Sequence, residues 1–368
     1  MNDPARPVVA GSPVSLVRPD LRRFAAYEAA SRAADAVRLH ANESAWRHDW
    51  DTSASGLNRY PDPRPDAVVD RIAELYGVPE NEVLLTRGSD DGIDVLLRTM
   101  CAAGKDRIVI CPPTFGMYAV AARLQGAIVD SVPLIADQDF ALDSAAVIAA
   151  GRRAKLVFLC SPNNPTGNTI PAAQVIEICR AMAGQGLVVV DEAYAEFAPE
   201  QSLIRLRREC GNLVLLRTLS KAYALAGARL GALIADADLV RLLRSVLPPY
   251  PVPSLCIEAA ERLLQPAPLA RAQAEARATA ARREVLRRAL ADLPAVARVW
   301  PSAGNFLLVR CRDAAAVLLA CADAQLLIRD FSRVPGLENC VRVTVGDAPQ
   351  NARLLEAFGR AAVEAAHG

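Results

Sequence analysis

The chain has 368 residues, 52% of them hydrophobic, and its 42 lysine and arginine residues nearly balance 41 aspartate and glutamate residues, for a net charge of +1. This composition supports one large or two moderate packed domains and lacks the basic surface that nucleic acids need. Its apolar runs fall short of the roughly 18 residues that span a bilayer, so we expect neither a nucleic-acid nor a membrane partner.

Between residues 83 and 234, short β-rich runs alternate with amphipathic helical segments. Such alternation predicts an α/β fold with parallel strands and helices on both faces of the sheet. The loops at the carboxyl ends of such strands form the ligand crevice. Strands are predicted at Val83–Thr86, Arg107–Cys111, Ile128–Val132, Leu156–Cys160, Leu187–Val190, Leu213–Arg217 and Leu230–Ile234. Helices are predicted at Asp90–Ala103, Thr114–Leu124, Ala172–Ala183 and Ser202–Arg208.

From about Val252 the pattern changes to long helices rich in alanine, leucine, arginine and glutamate. We predict an N-terminal segment of residues 1–50 that packs on the small domain or on a partner subunit, a large domain of residues 51–255, and a smaller α+β domain of residues 256–368. In the last of these, helices are predicted at Arg271–Leu293, Asp313–Ala322 and Gln350–Ala366, and strands at Val296–Trp300, Asn305–Val309 and Val341–Val345.

Cysteine and histidine usage argues against a disulfide framework or a metal centre. The nine cysteines are scattered and form no C-x-x-C pair, and only three histidines are present. These counts favour reduced thiols, and the N-terminus lacks the apolar core of a signal peptide. We therefore predict a cytoplasmic protein without a bound metal.

Lysine is rare in this chain, which takes nearly all of its positive charge from arginine. Lys221 is one of three lysines, and it follows the predicted strand Leu213–Arg217. A lysine amine can lose its proton and condense with an aldehyde, whereas a guanidinium group stays charged and inert. Lys221 is therefore a candidate nucleophile, although a single lysine is more often a solvated surface group.

Other polar and aromatic groups suited to a pyridine ring also follow predicted strands. Asp191 ends a buried-looking strand, where a carboxylate is costly without a cation, and a protonated ring nitrogen supplies one. Asn164, in the rigid turn S-P-N-N-P-T-G, and Tyr194 can together hydrogen-bond a phenolate oxygen. Phe115 can stack on a flat ring. Each group alone also fits a helix cap, a turn or a core position.

A phosphate-binding site is predicted where R-G-S-D-D-G (residues 87–92) joins a strand to a helix. Backbone N–H groups at the helix start, with the Ser89 hydroxyl, can hold a phosphate. Ser220 and Arg229, on either side of Lys221, can bring a hydroxyl and a bidentate cation to the same group. A reactive lysine, a ring acid, an amide with a phenol, a stacking ring and a phosphate site together describe a site for pyridoxal 5′-phosphate.

These motifs resemble the fold type I, aspartate-aminotransferase-like enzymes and, within them, the histidinol-phosphate aminotransferases. The resemblance runs from about Leu16 to the final helix. It implies a large domain with a mostly parallel seven-stranded sheet, a smaller α+β domain, pyridoxal 5′-phosphate as cofactor, and a homodimer with active sites at the subunit interface. It rests on L-H-A-N-E (39–43), L-N-R-Y-P-D-P (57–63), R-G-S-D-D-G-I-D (87–94), C-P-P-T-F-G-M-Y (111–118), S-P-N-N-P-T-G (161–167), D-E-A-Y (191–194), T-L-S-K-A-Y-A-L-A-G-A-R-L-G (218–231), and I-R-D and V-R-V-T-V-G near the end.

The resemblance also implies residue roles. Lys221 would bond to the cofactor and move a proton at the substrate carbon, Asp191 would pair with the pyridine nitrogen, and Tyr194 would complete the catalytic set. The remaining cofactor contacts are implied for Ser89, Asp90, Phe115, Asn164, Ser220, Arg229 and, from the neighbouring subunit, Tyr60. Substrate contacts are implied for Tyr27, Asn42, Asn164, Arg329 and Arg342.

The implied reaction interconverts L-histidinol phosphate and 2-oxoglutarate with imidazole acetol phosphate and L-glutamate, in histidine biosynthesis. Two arginines suit a pair of anionic substrates. An aromatic amino-acid aminotransferase and a threonine-phosphate decarboxylase on the same scaffold remain alternatives. The sequence departs from the family pattern at His40, Asp91, Phe115 and Gly304. These departures leave the implied chemistry of Lys221 unchanged and concern substrate preference.

Overall fold

A computed structural model describes residues 12–22, 24 and 37–364 of the chain. In this part the helices are α1 (Asp66–Tyr76), α2 (Ser89–Met100), α3 (Met117–Gln125), α4 (Ser144–Gly151), α5 (Ala172–Met182), α6 (Ala237–Val246), α7 (Ser254–Leu263), α8 (Pro266–Ala291), α9 (Ala314–Asp323) and α10 (Ala348–Glu364). The strands are β1 (Val83–Thr86), β2 (Arg107–Ile110), β3 (Ile128–Ser131), β4 (Leu156–Cys160), β5 (Leu187–Asp191), β6 (Leu213–Thr218), β7 (Gly231–Ile234), β8 (Val296–Val299), β9 (Phe306–Cys311), β10 (Arg329–Asp330) and β11 (Cys340–Thr344). None of these helices is long and apolar enough to cross a membrane.

The larger sheet has seven strands in the order β1-β7-β6-β5-β4-β2-β3. The neighbours from β3 to β6 pair in parallel, whereas β7 is antiparallel to both β6 and β1. The prediction of a mostly parallel seven-stranded sheet is confirmed, and each predicted strand overlaps an observed one. The strand–helix alternation did not predict that β7 runs antiparallel to its neighbours.

The direction of β7 follows from the short connection before it. Residues 219–230 hold a 3₁₀ turn, Ala226–Ala228, instead of the α-helix that a parallel crossover needs. The chain therefore returns directly beside β6, with Gly231 paired to Thr218 on one side and to Thr86 on the other. This places the connection, with Lys221 and Arg229, at the edge where the parallel strands end.

Both faces of the sheet are buried, because successive strand residues point to opposite sides. Ile108 and Phe158 belong to a core with α2, α3 and α6. Val109 and Val157, their neighbours in sequence, belong to a second core with α4 and α5. Burial of an aliphatic side chain of this size contributes ~1.5–3 kcal/mol. The two cores therefore hold the sheet edge, and the loops on it, in a fixed position.

The smaller sheet has the order β10-β11-β9-β8 and is antiparallel throughout. Helices α8, α9 and α10 cover one face of it and contribute Leu286, Val317 and Phe358 to a common core. The short strand β10 was not predicted, although it contains the motif I-R-D. Its pairing sets Arg329 directly opposite Arg342 on β11.

One predicted helix differs from the structure. The segment predicted as a helix at Ser202–Arg208 forms a 3₁₀ helix, Ile204–Arg208, whose Arg207 guanidinium donates to the carbonyl groups of Cys210 and Leu213. In the N-terminal segment, residues 16 and 17 pack with α2 and α6 beside the larger sheet. Contacts of the rest of that segment with the small domain or a partner, and the domain boundaries near residues 50 and 255, stay predictions.

Candidate active site

A cavity of about 460 Å³ opens where the strands of the larger sheet end. The residues that line it come from five separate loops or strand ends, which the sheet brings together. It is lined by Ser89, Asp90, Phe115, Cys160, Asn164, Asp191, Ala193, Tyr194, Thr218, Ser220, Lys221 and Arg229. All of the residues predicted to contact the cofactor, except Tyr60, therefore line this cavity.

Asp191 lies in the interior of the cavity, at the end of β5, and is 3% exposed. Its Oδ2 accepts a hydrogen bond from the Tyr118 hydroxyl at 2.9 Å, and its Oδ1 accepts one from the Ala193 backbone N–H at 3.1 Å. Burial raises the pKa of this carboxyl group to about 6, although the Tyr118 hydrogen bond opposes the shift. A cationic ring nitrogen in the cavity would remove that penalty, because it favours the ionised carboxylate.

Lys221 reaches the cavity from the connection between β6 and β7. Its Nζ lies 5.8 Å from the centre of the Tyr194 ring. Partial burial and then the nearby Arg342 charge lower the pKa of its ammonium group, while Asp90 opposes them. The lower pKa increases the fraction of free amine, which is the nucleophilic and basic form.

A chain of hydrogen bonds joins the two sheets across the cavity. The Asn164 amide donates from Nδ2 to the Tyr194 hydroxyl at 3.4 Å, and its Oδ1 accepts a hydrogen bond from Nη1 of Arg342. Asn164 and Tyr194 are each 7% exposed. Burial raises the pKa of Tyr194 above its usual range, so the phenol keeps its proton and can donate it in a hydrogen bond.

Arg229 dominates the opposite end of the cavity. Its guanidinium group pairs with Asp90 at 3.1 Å and donates to the Ser220 hydroxyl at 3.4 Å. Gly88, just before α2, has φ +77°, and a Cβ there would lie 2.9 Å from Nη2 of Arg229. Glycine thus allows the arginine to approach the start of α2, where Ser89 and free backbone N–H groups complete an anion site.

Phe115 and Tyr118 form one aromatic unit behind these polar groups. Phe115 lines the cavity and contacts Tyr118 edge-to-face, with ring centres 5.6 Å apart. Tyr118 is fully buried and stacks on Phe158 at 5.0 Å. No motif in the sequence pointed to the bond between Tyr118 and Asp191, because it joins the first turn of α3 to the end of β5. The only signal for it was its position three residues after Phe115.

Of the predicted site residues that the structure describes, four do not line this cavity: Tyr60, Asn42, Arg329 and Arg342. Tyr60 is 49% exposed and stacks on Tyr250 at 4.5 Å. Asn42 is exposed, and Arg329 is exposed beside Arg342 on the smaller sheet. Tyr27 lies outside the described residues. Arg342 itself reaches the cavity only through Asn164. The roles proposed for these residues and for those on the cavity wall stay predictions.

The arrangement fits a flat cofactor that carries a phosphate at one end. An anion site, an apolar ring face, a buried acid, a phenol with an amide, and an amine of lowered pKa all line one cavity. These side chains suit the binding of an organic cofactor with a flat ring and a phosphate. Among the described residues, no group of three or more histidine, cysteine or acidic side chains could hold a metal ion.

Comparisons with known proteins agree with this assignment. A model of the family described as aminotransferase class I and II matches residues 26–358. A curated histidinol-phosphate aminotransferase from Stenotrophomonas maltophilia is 47% identical over 350 residues, which cover 94% of this chain and 96% of that protein.

Two solved structures bear on the reaction. Histidinol-phosphate aminotransferase from Sinorhizobium meliloti, solved in complex with pyridoxal-5′-phosphate, is 25% identical with a TM-score of 0.74 and covers 83% of each chain. L-threonine-O-3-phosphate decarboxylase from Porphyromonas gingivalis is 26% identical with a TM-score of 0.69, and covers 83% of this chain and 90% of that one. From the family match and the full-length curated relative, this chain belongs to the class I and II aminotransferases.

Proposed function

We propose that the protein is a pyridoxal 5′-phosphate-dependent transaminase of histidine biosynthesis. It exchanges the amino group between L-histidinol phosphate and 2-oxoglutarate on one side and imidazole acetol phosphate and L-glutamate on the other. The observation that supports this most is the single cavity that gathers Lys221, Asp191 and the anion site around Arg229. The substrate assignment is supported by the name of the 47% identical relative, which covers nearly the whole chain.

The cofactor fits the cavity residues by chemistry. Asp191 would hold the pyridine nitrogen, Asn164 and Tyr194 the ring oxygen, and Phe115 the ring face. Ser89, Asp90, Ser220 and Arg229 would surround the phosphate. When bound, the cofactor supplies an aldehyde and an electron-withdrawing ring that stabilises negative charge at the substrate carbon.

Lys221 provides the acid–base group of the reaction. Its lowered pKa gives a larger fraction of free amine at neutral pH, and an amine of this kind can both react with an aldehyde and accept a proton from the substrate carbon. Asp191, in the interior of the same cavity, would hold the ring nitrogen of the cofactor. Tyr194, whose raised pKa keeps its proton in place, would donate a hydrogen bond to the ring oxygen.

Arg342 would bind the anionic end of the substrate. It reaches the cavity from the smaller sheet, and burial lowers the pKa of its guanidinium group without removing the charge at neutral pH. Its hydrogen bond to Asn164 sets it beside the proposed ring-oxygen site. Arg329, its partner across the strands, would add a second cation for a substrate phosphate or carboxylate.

A homodimer completes the proposal. The segment around Tyr60 exposes Leu39 at 86%, Trp46 at 63% and Trp50 at 67%, and large exposed apolar groups in one region mark an interaction surface. Tyr60 does not line the cavity of its own chain. A second copy packed on this surface would bury these side chains and bring its own Tyr60 to the phosphate. Nine cysteines without a disulfide agree with a reducing, cytoplasmic setting.

The test is a Lys221→Ala variant assayed for cofactor absorbance and for glutamate formation from L-histidinol phosphate and 2-oxoglutarate. After free pyridoxal phosphate is removed, the wild-type protein is expected to retain the yellow absorbance and to produce glutamate, and the variant to do neither at more than a trace level. Lys105→Ala, at an exposed lysine, is the matched control and should behave as wild type. Full turnover by the Lys221 variant would refute the assignment.

The alternative reactions are separated by the amino donor. The similarity to a threonine-phosphate decarboxylase keeps that enzyme as a second candidate on the same fold. Release of CO₂ from threonine phosphate without a keto acid would favour it, and higher kcat/KM for phenylalanine or tyrosine would favour an aromatic transaminase. A tenfold preference corresponds to ~1.4 kcal/mol of transition-state binding, so a donor panel decides between them.

A further inference from the structure

Phe306, the first residue of β9, joins the two proposed binding regions although no sequence motif assigned it a role. It is 2% exposed. Its ring contacts the Tyr194 ring edge-to-face, with centres 5.0 Å apart, and lies 5.4 Å from Cζ of the Arg342 guanidinium group. Because Asn164 bonds to both Tyr194 and Arg342, the four side chains form a closed ring of contacts across the two sheets.

Arg342 is held from more than one side by aromatic faces. Phe331 lies 5.7 Å from the same guanidinium carbon. On the smaller sheet, Arg342 pairs with Leu308 and Phe306 pairs with Thr344, so Arg342 and Phe306 are diagonal neighbours on one face. A guanidinium group over an aromatic face is attracted by the ring quadrupole, more strongly when water is excluded. Its direction toward the cavity therefore depends on where these rings lie.

Gly304 provides the space for the Phe306 ring. A Cβ at position 304 would lie 2.7 Å from Cε1 of Phe306 and within 3.2 Å of two further ring atoms. The backbone is fixed there, because the Gly304 carbonyl accepts a hydrogen bond of 2.7 Å from the buried Arg283. A larger residue would have to push the ring toward Tyr194 or Arg342.

We propose that Phe306 is a positioning residue, held in place by the absence of a side chain at Gly304, that orients Arg342 for the anionic substrate and Tyr194 for the cofactor. The proposal rests on the function proposed above. It predicts that damage to the Phe306 ring changes the binding of both ligands, whereas loss of an equally buried phenylalanine elsewhere changes neither.

The first experiment compares Phe306→Leu with Phe358→Leu, a fully buried control in the core of the smaller sheet. Both variants lose an aromatic ring of the same size and are expected to lower the melting temperature. We expect Phe306→Leu to raise KM for L-glutamate about tenfold (~1.4 kcal/mol) with a smaller change in kcat, as for loss of uniform binding. It should also raise the dissociation constant of the apo protein for pyridoxal phosphate about threefold, measured by absorbance. Phe358→Leu should leave both constants within twofold of wild type.

The second experiment tests the coupling directly. Gly304→Ala should reproduce the Phe306→Leu pattern to a smaller extent, because the ring stays but moves. In a double-mutant cycle, Phe306→Leu should raise KM much less in an Arg342→Lys background than in wild type, since the contact is already lost. Additive effects in the cycle, or equal behaviour of the two leucine variants, would overturn the proposal. A wild-type protein that neither binds pyridoxal phosphate nor transaminates would instead overturn the proposed function.

Discussion

Replacing Asp191 with asparagine should stabilise the cofactor-free protein at neutral pH while abolishing its function. The carboxyl group is buried and accepts two hydrogen bonds, and burial raises its pKa from 3.8 to about 6. A group whose pKa is higher in the folded state than in the unfolded state stabilises the fold fully below pH 3.8. That contribution is lost as the pH rises through 6. Asparagine at position 191 has the same shape and does not titrate in this range.

The size of the effect follows from the two pKa values. With pKa values of 3.8 unfolded and about 6 folded, the wild-type protein loses about 1.4 kcal/mol of unfolding free energy between pH 5 and pH 7.5 because of this group. The variant has no such loss. An asparagine amide can accept one of the two hydrogen bonds but not both, so a constant cost is expected at every pH. The quantity to examine is therefore the difference in unfolding free energy between the two proteins, and how it changes with pH.

The assay is urea denaturation of apo wild type and Asp191→Asn at pH 5, 6, 7 and 7.5, at one protein concentration, because oligomerisation makes stability concentration-dependent. The unfolding free energy of the variant relative to wild type should rise most between pH 5 and pH 6 and level off above pH 7. Saturation with pyridoxal phosphate should cancel the trend in wild type, since a ring nitrogen then pairs with the carboxylate. A difference that stays constant from pH 5 to pH 7.5 would show that the carboxyl group is not held in the desolvated site described above.

Two further substitutions test the groups around this acid and around the phosphate. Tyr118→Phe keeps the stacking on Phe158 but removes the hydrogen bond to Asp191, which is worth ~1.5–3 kcal/mol when the acceptor is charged. The midpoint of the Asp191 titration, measured by the same pH series, should rise by about one pH unit. An unchanged midpoint would contradict the contact. Arg229→Lys keeps the positive charge but loses the planar guanidinium group. It should weaken pyridoxal phosphate binding about tenfold and leave the binding of unphosphorylated pyridoxal unchanged. Equal losses for both ligands would show that Arg229 does not bind the phosphate.

The positions of the strands were predictable because each is a short apolar run between polar segments. Their directions were only partly predictable. The sequence between β6 and β7 shows no helical segment, but the alternation of strands and helices in the rest of the domain favoured a parallel strand there. The strand ends also located Asp191, Asn164 and Lys221 correctly on one cavity, since parallel strands deliver their carboxyl ends to the same edge.

The contacts between these groups were less predictable because they join distant parts of the chain. Tyr118 meets Asp191 across 73 residues, and Arg342 meets Asn164 across 178. Tyr118 lies in a predicted helix and Phe306 in a predicted strand, and both side chains are buried. Only the packing of the two sheets shows that a core aromatic can also touch a site residue. Tyr60 does not line the cavity of its own chain, and its predicted contact is one made from a second copy; the substrate contact predicted for Asn42 stays a prediction.

The edge position of β1 has a consequence for how the protein is made. This strand joins the larger sheet through β7, which is synthesised well over a hundred residues later. Closing so long a loop is entropically costly, and contacts of this kind form late. The start of α2, which follows β1, therefore meets Arg229 only after most of the sheet exists. Arg229 can therefore join Asp90 at the anion site only after the chain has been synthesised at least through residue 229, almost a hundred and forty residues beyond α2's first turn.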